Sequence, residues 1–312
     1  MEISILLLKQ IMGMVLMAGA GFVLGRKKLI TGVESRVLSC LSIYLITPCS
    51  MISAFMSSRD MEKLVGLGII LLCSTAIQLI YLAANSLLHR GPHGLTREEQ
   101  ASVMYNNAGN LTIPIVQNVL GNEYVIFTSP YLLVQSLLMW THGQKLMGGD
   151  SRLTVKKIVT NPVIAGIEIG MVLFLTGLQL PSFAVTAING LANCIGPLSM
   201  VILGIMMSEI DLKSVFTQRR IYMVALVRLV LLPLVVVALL ASISHLWGSP
   251  SGTKILLVSL LSAVGPSAAT IVQQAVLYRN PHAGYVSSIN VLTTFFCVVT
   301  IPVMAYLLLS LM

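Results

Sequence analysis

Charge is scarce in this chain of 312 residues: Asp, Glu, Lys and Arg together make up 10% of it, against about 25% in soluble globular domains. That shortage excludes a water-soluble globule, whose surface those side chains would have to cover. Acids are the scarcer sign, 11 against 19 basic residues. Cysteine is sparse as well. Cys40, Cys49, Cys73, Cys194 and Cys297 fall within apolar stretches with no Cys-x-x-Cys pair, so a disulfide framework or thiolate metal site has no support and they read as small packing residues. The five histidines lack metal-ligand spacing, and no Walker loop, nucleophile elbow, dinucleotide fingerprint or zinc motif is present. An ATP-driven pump on this chain, an enzyme, a metal site and a cofactor are therefore not expected.

Apolar sequence takes the place of charge. Hydrophobic residues make up 56% of the chain and its mean hydropathy is +0.91. Charges sit in short clusters separated by apolar stretches of roughly 20 residues, the length at which a helix crosses a hydrocarbon core of about 30 Å. Barrel strands would alternate apolar and polar residues instead. An all-α polytopic membrane protein is expected. The net charge of +8 is spread over short inter-helical loops, so it reads as topology and not as a nucleic-acid surface. Ala18-Gly19-Ala20 resembles a signal-peptide cleavage site. However, Glu2 precedes the apolar run and Arg26-Lys27-Lys28 follow it, the pattern of a retained first helix.

Nine crossings are plain, at about 4–25, 36–56, 64–88, 124–142, 160–179, 183–208, 220–245, 254–277 and 284–311. The tenth, 98–120, holds the polar stretch from Tyr105 to Asn118 (YNNAGNLTIPIVQN). Lys and Arg concentrate on the cytoplasmic side of a membrane protein. If 98–120 spans, fourteen basic residues share one side, Arg152, Lys156 and Lys157 among them, and four, including Arg59, share the other; if it does not, the division falls to seven against eleven. Ten helices follow, with both termini extracytoplasmic in a cell membrane. The chain divides into a first five-helix unit, 1–145, a cytoplasmic linker, 146–159, and a second five-helix unit, 160–312.

The halves echo each other. Pro48-Cys-Ser-Met-Ile recurs as Pro197-Leu-Ser-Met-Val at an offset of 149, and Gly109 with Ile115-Val-Gln-Asn recurs as Gly265 with Ile271-Val-Gln-Gln at an offset of 156. Because five is odd, the second copy must enter the membrane from the opposite side, giving inverted repeats. In secondary transporters of that design, substrate sites lie near the midplane where interrupted helices meet.

Pro114 removes a backbone donor and Gly109 lowers the cost of non-helical dihedrals, so segment four is expected to break, and segment nine likewise at Gly265-Pro266. Backbone groups freed in this way must be buried in protein or line a wet cavity. Asn106, Asn107, Asn110 and Thr112 supply donors and acceptors at that depth, and Ser267 and Thr270 do so in segment nine. Half-helix N-termini exposed by the breaks suit a carboxylate. The candidate substrate-binding set is Asn106, Asn107, Gly109, Asn110, Thr112, Pro114, Gly265, Pro266, Ser267 and Thr270. The alternative is that Asn and Gly only glue helices together. Glu168 and Arg228 lie within segments six and eight and form a candidate pair, Glu168 carrying a coupling proton and Arg228 fixing a substrate carboxylate; a structural ion pair or a water-filled vestibule fits as well. Gln78, Gln135, Gln273, Asn290 and Thr293 are further candidates for the cavity wall or for inter-helix hydrogen bonds.

With Asn107-Ala-Gly-Asn110 and Pro114, Asn161-Pro162, Pro197-Leu-Ser-Met with Gly204, and Gly265-Pro266, the chain resembles the auxin efflux carrier family along essentially its whole length, and among its members the bacterial malonate and malate type. The resemblance implies ten helices in two inverted repeats, a scaffold and a transport unit, crossed segments four and nine, and elevator-like alternating access. The expected partners are a small organic anion such as malate, malonate or an auxin-like carboxylate and the lipid bilayer, with a coupling proton or sodium ion and a second copy in a homodimer as candidates that the sequence does not decide; nucleic acid is not among them. Two other readings stand beside it: a sodium- or proton-coupled symporter of the bile-acid type, and a non-transporting membrane sensor. The absence of carboxylates at the crossing argues against a sodium/proton antiporter.

Overall fold

The computed structural model describes residues 2–56, 60–90, 94–149, 160–209, 212–247 and 250–312. Residues 150–159, most of the expected linker with Arg152, Lys156 and Lys157, lie outside the described residues, as does Arg59. Within the described residues the chain is helical and has no strand.

The order begins with α1 (Glu2–Arg26). Next, α2 (Gly32–Leu41) runs through a π turn (Ser42–Ile46) into α3 (Thr47–Phe55). α4 (Met61–His89) is followed by α5 (Arg97–Met104), a break, a second π turn (Ala108–Thr112) and α6 (Ile113–Val119). A 3-10 turn (Asn122–Thr128) leads into α7 (Ser129–Leu138), a third π turn (Met139–Gly143) and α8 (Gln144–Leu146). Beyond 159 come α9 (Pro162–Thr176), α10 (Ser182–Ala192), α11 (Ile195–Ser208) and α12 (Leu212–Thr217). α13 (Arg219–Leu226) passes through a fourth π turn (Val227–Leu231) into α14 (Leu232–Trp247), and α15 (Pro250–Ala263), a break, α16 (Ala269–Leu277) and α17 (Ala283–Leu311) complete the chain.

Local chemistry accounts for these boundaries. The Asn161-Pro162 pair is a helix start: Asn161 Oδ1 accepts from the N–H groups of Val163 (3.0 Å) and Ile164 (3.2 Å), and Pro162 occupies the first helical position, where a missing N–H costs nothing. α9 ends at Gly177 in the left-handed region, φ +69°. Pro48, Pro114 and Pro233 each follow a π turn, whose widened backbone removes the clash a proline makes with the turn before it.

Six stretches are long and apolar enough to cross a membrane: Ile5–Arg26, Glu34–Phe55, Met61–His89, Ser182–Ser208, Arg219–His245 and Ala283–Leu311. The other expected segments are shorter or interrupted, with α5–α6 and α15–α16 each split into two halves. Leu16, Leu72 and Phe183, each more than 70% exposed, turn apolar side chains outward, as a lipid-facing surface requires. The chain is a multi-pass membrane protein.

Small residues set the closest helix contacts. Gly21 and Gly25 of α1 lie against Val201 and Ser208 of α11, while Gly204 of α11 lies against Ala18 and Phe22; a Cβ at any of the three would overlap its neighbour. Gly166 and Gly170 of α9 meet Pro48 and Phe55 of α3 in the same way. α10 also packs on α3, where Ser53 Oγ donates to Asn189 Oδ1 at 2.6 Å. A first group of helices, α1–α3 and α9–α11, is held by these contacts. In a second, α4 packs on α7 and α15, and α17 on α13, α14 and α16.

Candidate functional site

The two breaks meet. Tyr105 leaves α5 in extended conformation, and residues 105–107 run antiparallel to 266–268. Asn107 N–H donates to Pro266 O at 2.9 Å and Ala268 N–H donates to Tyr105 O at 2.9 Å. Each break thus satisfies backbone groups that the other leaves free, the requirement for irregular backbone at membrane depth.

Side chains complete the pairing. Gln135 of α7 accepts from Asn106 N–H at 3.3 Å and donates to Asn106 O at 2.9 Å. On the other break, Thr293 Oγ1 of α17 accepts from Ser267 N–H at 3.1 Å, and Asn290 Nδ2 donates to Ser267 O at 2.5 Å. Asn106 Nδ2 donates to Ser262 O at 2.5 Å, and Thr112 Oγ1 donates to Leu261 O at 3.0 Å.

Arg228, fully enclosed on the fourth π turn, completes the set. Its Nη1 donates to Val103 O (2.9 Å), Nη2 to Ala263 O (2.7 Å) and Nε to Gly265 O (3.0 Å). The guanidinium carbon stands 5.2 Å from the centre of the Tyr81 ring. The structure does not bring Glu168 to it: Glu168 lies on the exposed side of α9, away from Gly166, Ile167, Gly170 and Phe174, and all three Arg228 nitrogens are engaged by carbonyls.

One side of the crossing opens into a cleft between the two helix groups. It is walled by Ser39, Ser42 and Ile43, by Ser199, Ile202, Leu203 and Met206 of α11, and by Asn107, Asn110, Ala269 and Gln273 from the two interrupted segments. α16 begins there at Ala269, and the π turn that leads into α6 begins beside Asn107, so the partially positive N-terminal ends of both second half-segments face it. Among the described residues the side chains of Asn107 and Asn110 have no hydrogen-bond partner, and the buried hydroxyls of Ser42 and Ser199 are likewise unpartnered there. The cleft is narrow, about 20 Å³. A second cavity of about 310 Å³ lies at another depth of the same interface, beyond Pro114 and Gly196, with Gln10, Met14 and Met17 of α1, Gln117, Asn118, Asn193 and Pro197 around it.

The candidate residues therefore separate by position. Asn107 and Asn110 face the cleft, and Pro114 borders the second cavity against Gly196. Asn106 through its backbone and Nδ2, Thr112 through its hydroxyl, and Gly265, Pro266 and Ser267 through their backbones hold the crossing together, while Asn106 Oδ1 and Ser267 Oγ are buried without a partner among the described residues. Gly109 and Thr270 are half-buried beside them. Ser39, Ser42 and Ser199 escaped the sequence reading; Ser199 belongs to the repeated Pro-x-Ser-Met motif, the one signal that pointed to it.

A family model described as membrane transport protein matches residues 6–156 and 150–305. The chain belongs to that family, the auxin efflux carrier-like transporters. No curated protein matches the chain. For a membrane transport protein, polar side chains without a protein partner that face a cleft where two interrupted helices cross are the features that could hold a solute.

Proposed function

We propose that this membrane transport protein is a secondary carrier of small organic anions, such as malate, malonate or auxin-like carboxylates, and works by elevator-like alternating access. The observation that carries the reading is the cleft at the crossing. The N-terminal ends of two half-segments, the amides of Asn107 and Asn110, and the hydroxyls of Ser42 and Ser199 converge there, unpartnered and with no carboxylate beside them among the described residues. A carboxylate entering it would gain charge-assisted hydrogen bonds worth about 1.5–3 kcal/mol each against its desolvation. In this reading Asn107, Asn110, Ser42, Ser199 and Gln273 touch substrate. Asn106, Gly109, Thr112, Pro114, Gly265, Pro266, Ser267 and Thr270 shape and support the place where it binds.

Ten membrane helices in two inverted repeats fit the packing. If segments one to five correspond to six to ten, α1 on α11 is the counterpart of α9 on α3, and both contacts are built on a Gly-x-x-x-Gly pair. Gln135 on the first break is the counterpart of Asn290 and Thr293 on the second. The first helix group would be the scaffold, the second the moving body. In this reading the narrow cleft and the larger cavity, at different depths of the interface between them, serve as the two access routes. Both termini face outward from the cell membrane in this arrangement, and a homodimer would pair two scaffolds.

The test is purified protein in liposomes, offered labelled malate, malonate and an indole carboxylate under imposed proton, sodium and electrical gradients. Saturable uptake of at least one anion above protein-free vesicles is expected. Absence of flux for every anion, with protein shown to be folded and inserted, overturns the reading.

A further inference from the structure

Interrupted membrane helices create two kinds of end. Their N-termini attract anions, while their C-terminal and unwound carbonyls attract cations and in many carriers bind the coupling ion. In this protein the C-terminal ends of α5 and α15 come together at the crossing, outside the lining of the cleft, and their carbonyls converge on one point. A guanidinium occupies that point. Val103 O, Ala263 O and Gly265 O are all taken by Arg228, which reaches in from the π turn of a third helical segment and is wholly enclosed.

The electrostatics balance. Each helix C-terminus carries roughly half a negative elementary charge, so two of them offset about one positive charge. Among the described residues no carboxylate pairs with Arg228; the ion pair of this helix group, Arg220 with Glu99, is elsewhere. A buried cation without a carboxylate partner is costly unless other groups neutralise it, and here backbone dipoles do so. The negative ends of the half-helices are thereby covered permanently, leaving the positive ends to the cleft.

We infer that Arg228 is a tethered stand-in for a coupling cation: its guanidinium fills the carbonyl site at the C-terminal ends of α5 and α15 that a sodium ion would otherwise occupy. The inference rests on the anion-carrier reading for its consequence in transport, which is that uptake requires no sodium. Its statement about the carbonyl site is independent of substrate. Arg228 is a positioning residue here, because it touches the backbone of the crossing and not the solute.

The experiment compares wild type, Arg228→Ala and Arg228→Lys, purified in detergent and in liposomes, in sodium chloride and in choline chloride of equal strength. Wild type is expected to melt at the same temperature in both salts and to take up anion at rates within twofold. Arg228→Ala opens the carbonyl site: its melting temperature falls in choline and recovers partly in sodium, and its uptake drops at least tenfold in choline and less in sodium. Arg228→Lys retains indifference to sodium. If Arg228→Ala does not purify as a monodisperse species, Arg228→Gln carries the same comparison. Wild-type uptake that falls tenfold without sodium overturns the inference, as does a neutral variant whose melting is indifferent to sodium. The melting measurement needs no solute, so a sodium response without flux of any anion overturns the carrier reading alone, and flux without a sodium response in the variant overturns this one alone.

Discussion

The N–H of Asn107 donates to the carbonyl of Pro266 at 2.9 Å across two interrupted helices that lie far apart in sequence. One residue thereby belongs to two structures at once. Its backbone closes the crossing and its side chain faces the cleft, and substitutions around it should separate binding from folding.

Asn110→Ala removes a side chain that has no partner among the described residues. Uptake should fall at least tenfold, while the melting temperature in detergent changes by no more than about 2 °C, within the range of a substitution that breaks no internal bond. A protein that no longer inserts or purifies would mean that the asparagine holds helices together instead.

Thr112→Val is the converse. Its hydroxyl is bonded to Leu261 O at 3.0 Å and is buried, so its loss leaves a carbonyl unsatisfied and should cost about 1–3 kcal/mol of stability, read by denaturant unfolding in micelles. Uptake per folded molecule should change less than it does in Asn110→Ala.

Much of this crossing was legible in the sequence and part of it was not, for physical reasons. Asparagine, glycine and proline within an apolar run are costly in lipid unless they serve a break, so 105–118 and Gly265-Pro266 stood out. The glycine pairs Gly21/Gly25 and Gly166/Gly170 did not, because 24 glycines give many such spacings and only the packing shows which ones meet another helix. Arg228 drew attention as an intramembrane charge, and Glu168 was the nearest carboxylate in type. The rotation of α9 carries Glu168 to the exposed surface, and the arginine's partners are main-chain oxygens, which no side-chain pattern reports.

Gly204→Leu should be severely destabilising. A Cβ at this position would stand 1.9 Å from Ala18 O, backbone that cannot step aside. A cost of at least about 1–3 kcal/mol is expected from overpacking alone, seen as lost monodisperse yield. At Gly190, whose added Cβ meets nothing within 4 Å, an alanine should be tolerated.

Glu99, wholly buried, accepts from Arg220 Nε (2.5 Å) and Nη2 (2.8 Å), from Tyr285 Oη (2.6 Å) and from Thr96 N–H (2.8 Å). It ties α5 to α13 and α17 at one end of the second helix group. Glu99→Gln should destabilise by about 2 kcal/mol. A double-mutant cycle with Arg220→Ala should return a coupling of about 0.5–2 kcal/mol; additive losses would show that the network does not act as a unit.

In this protein the cleft at the crossing is proposed to hold a carboxylate through Asn107 and Asn110. Equilibrium binding of a labelled dicarboxylate to purified protein tests it most directly, with wild type and the Asn107→Ala, Asn110→Ala double variant measured side by side after both are shown to be folded. Saturable binding by wild type, weakened at least tenfold in the variant, is the predicted result; equal affinity in the two proteins would contradict it.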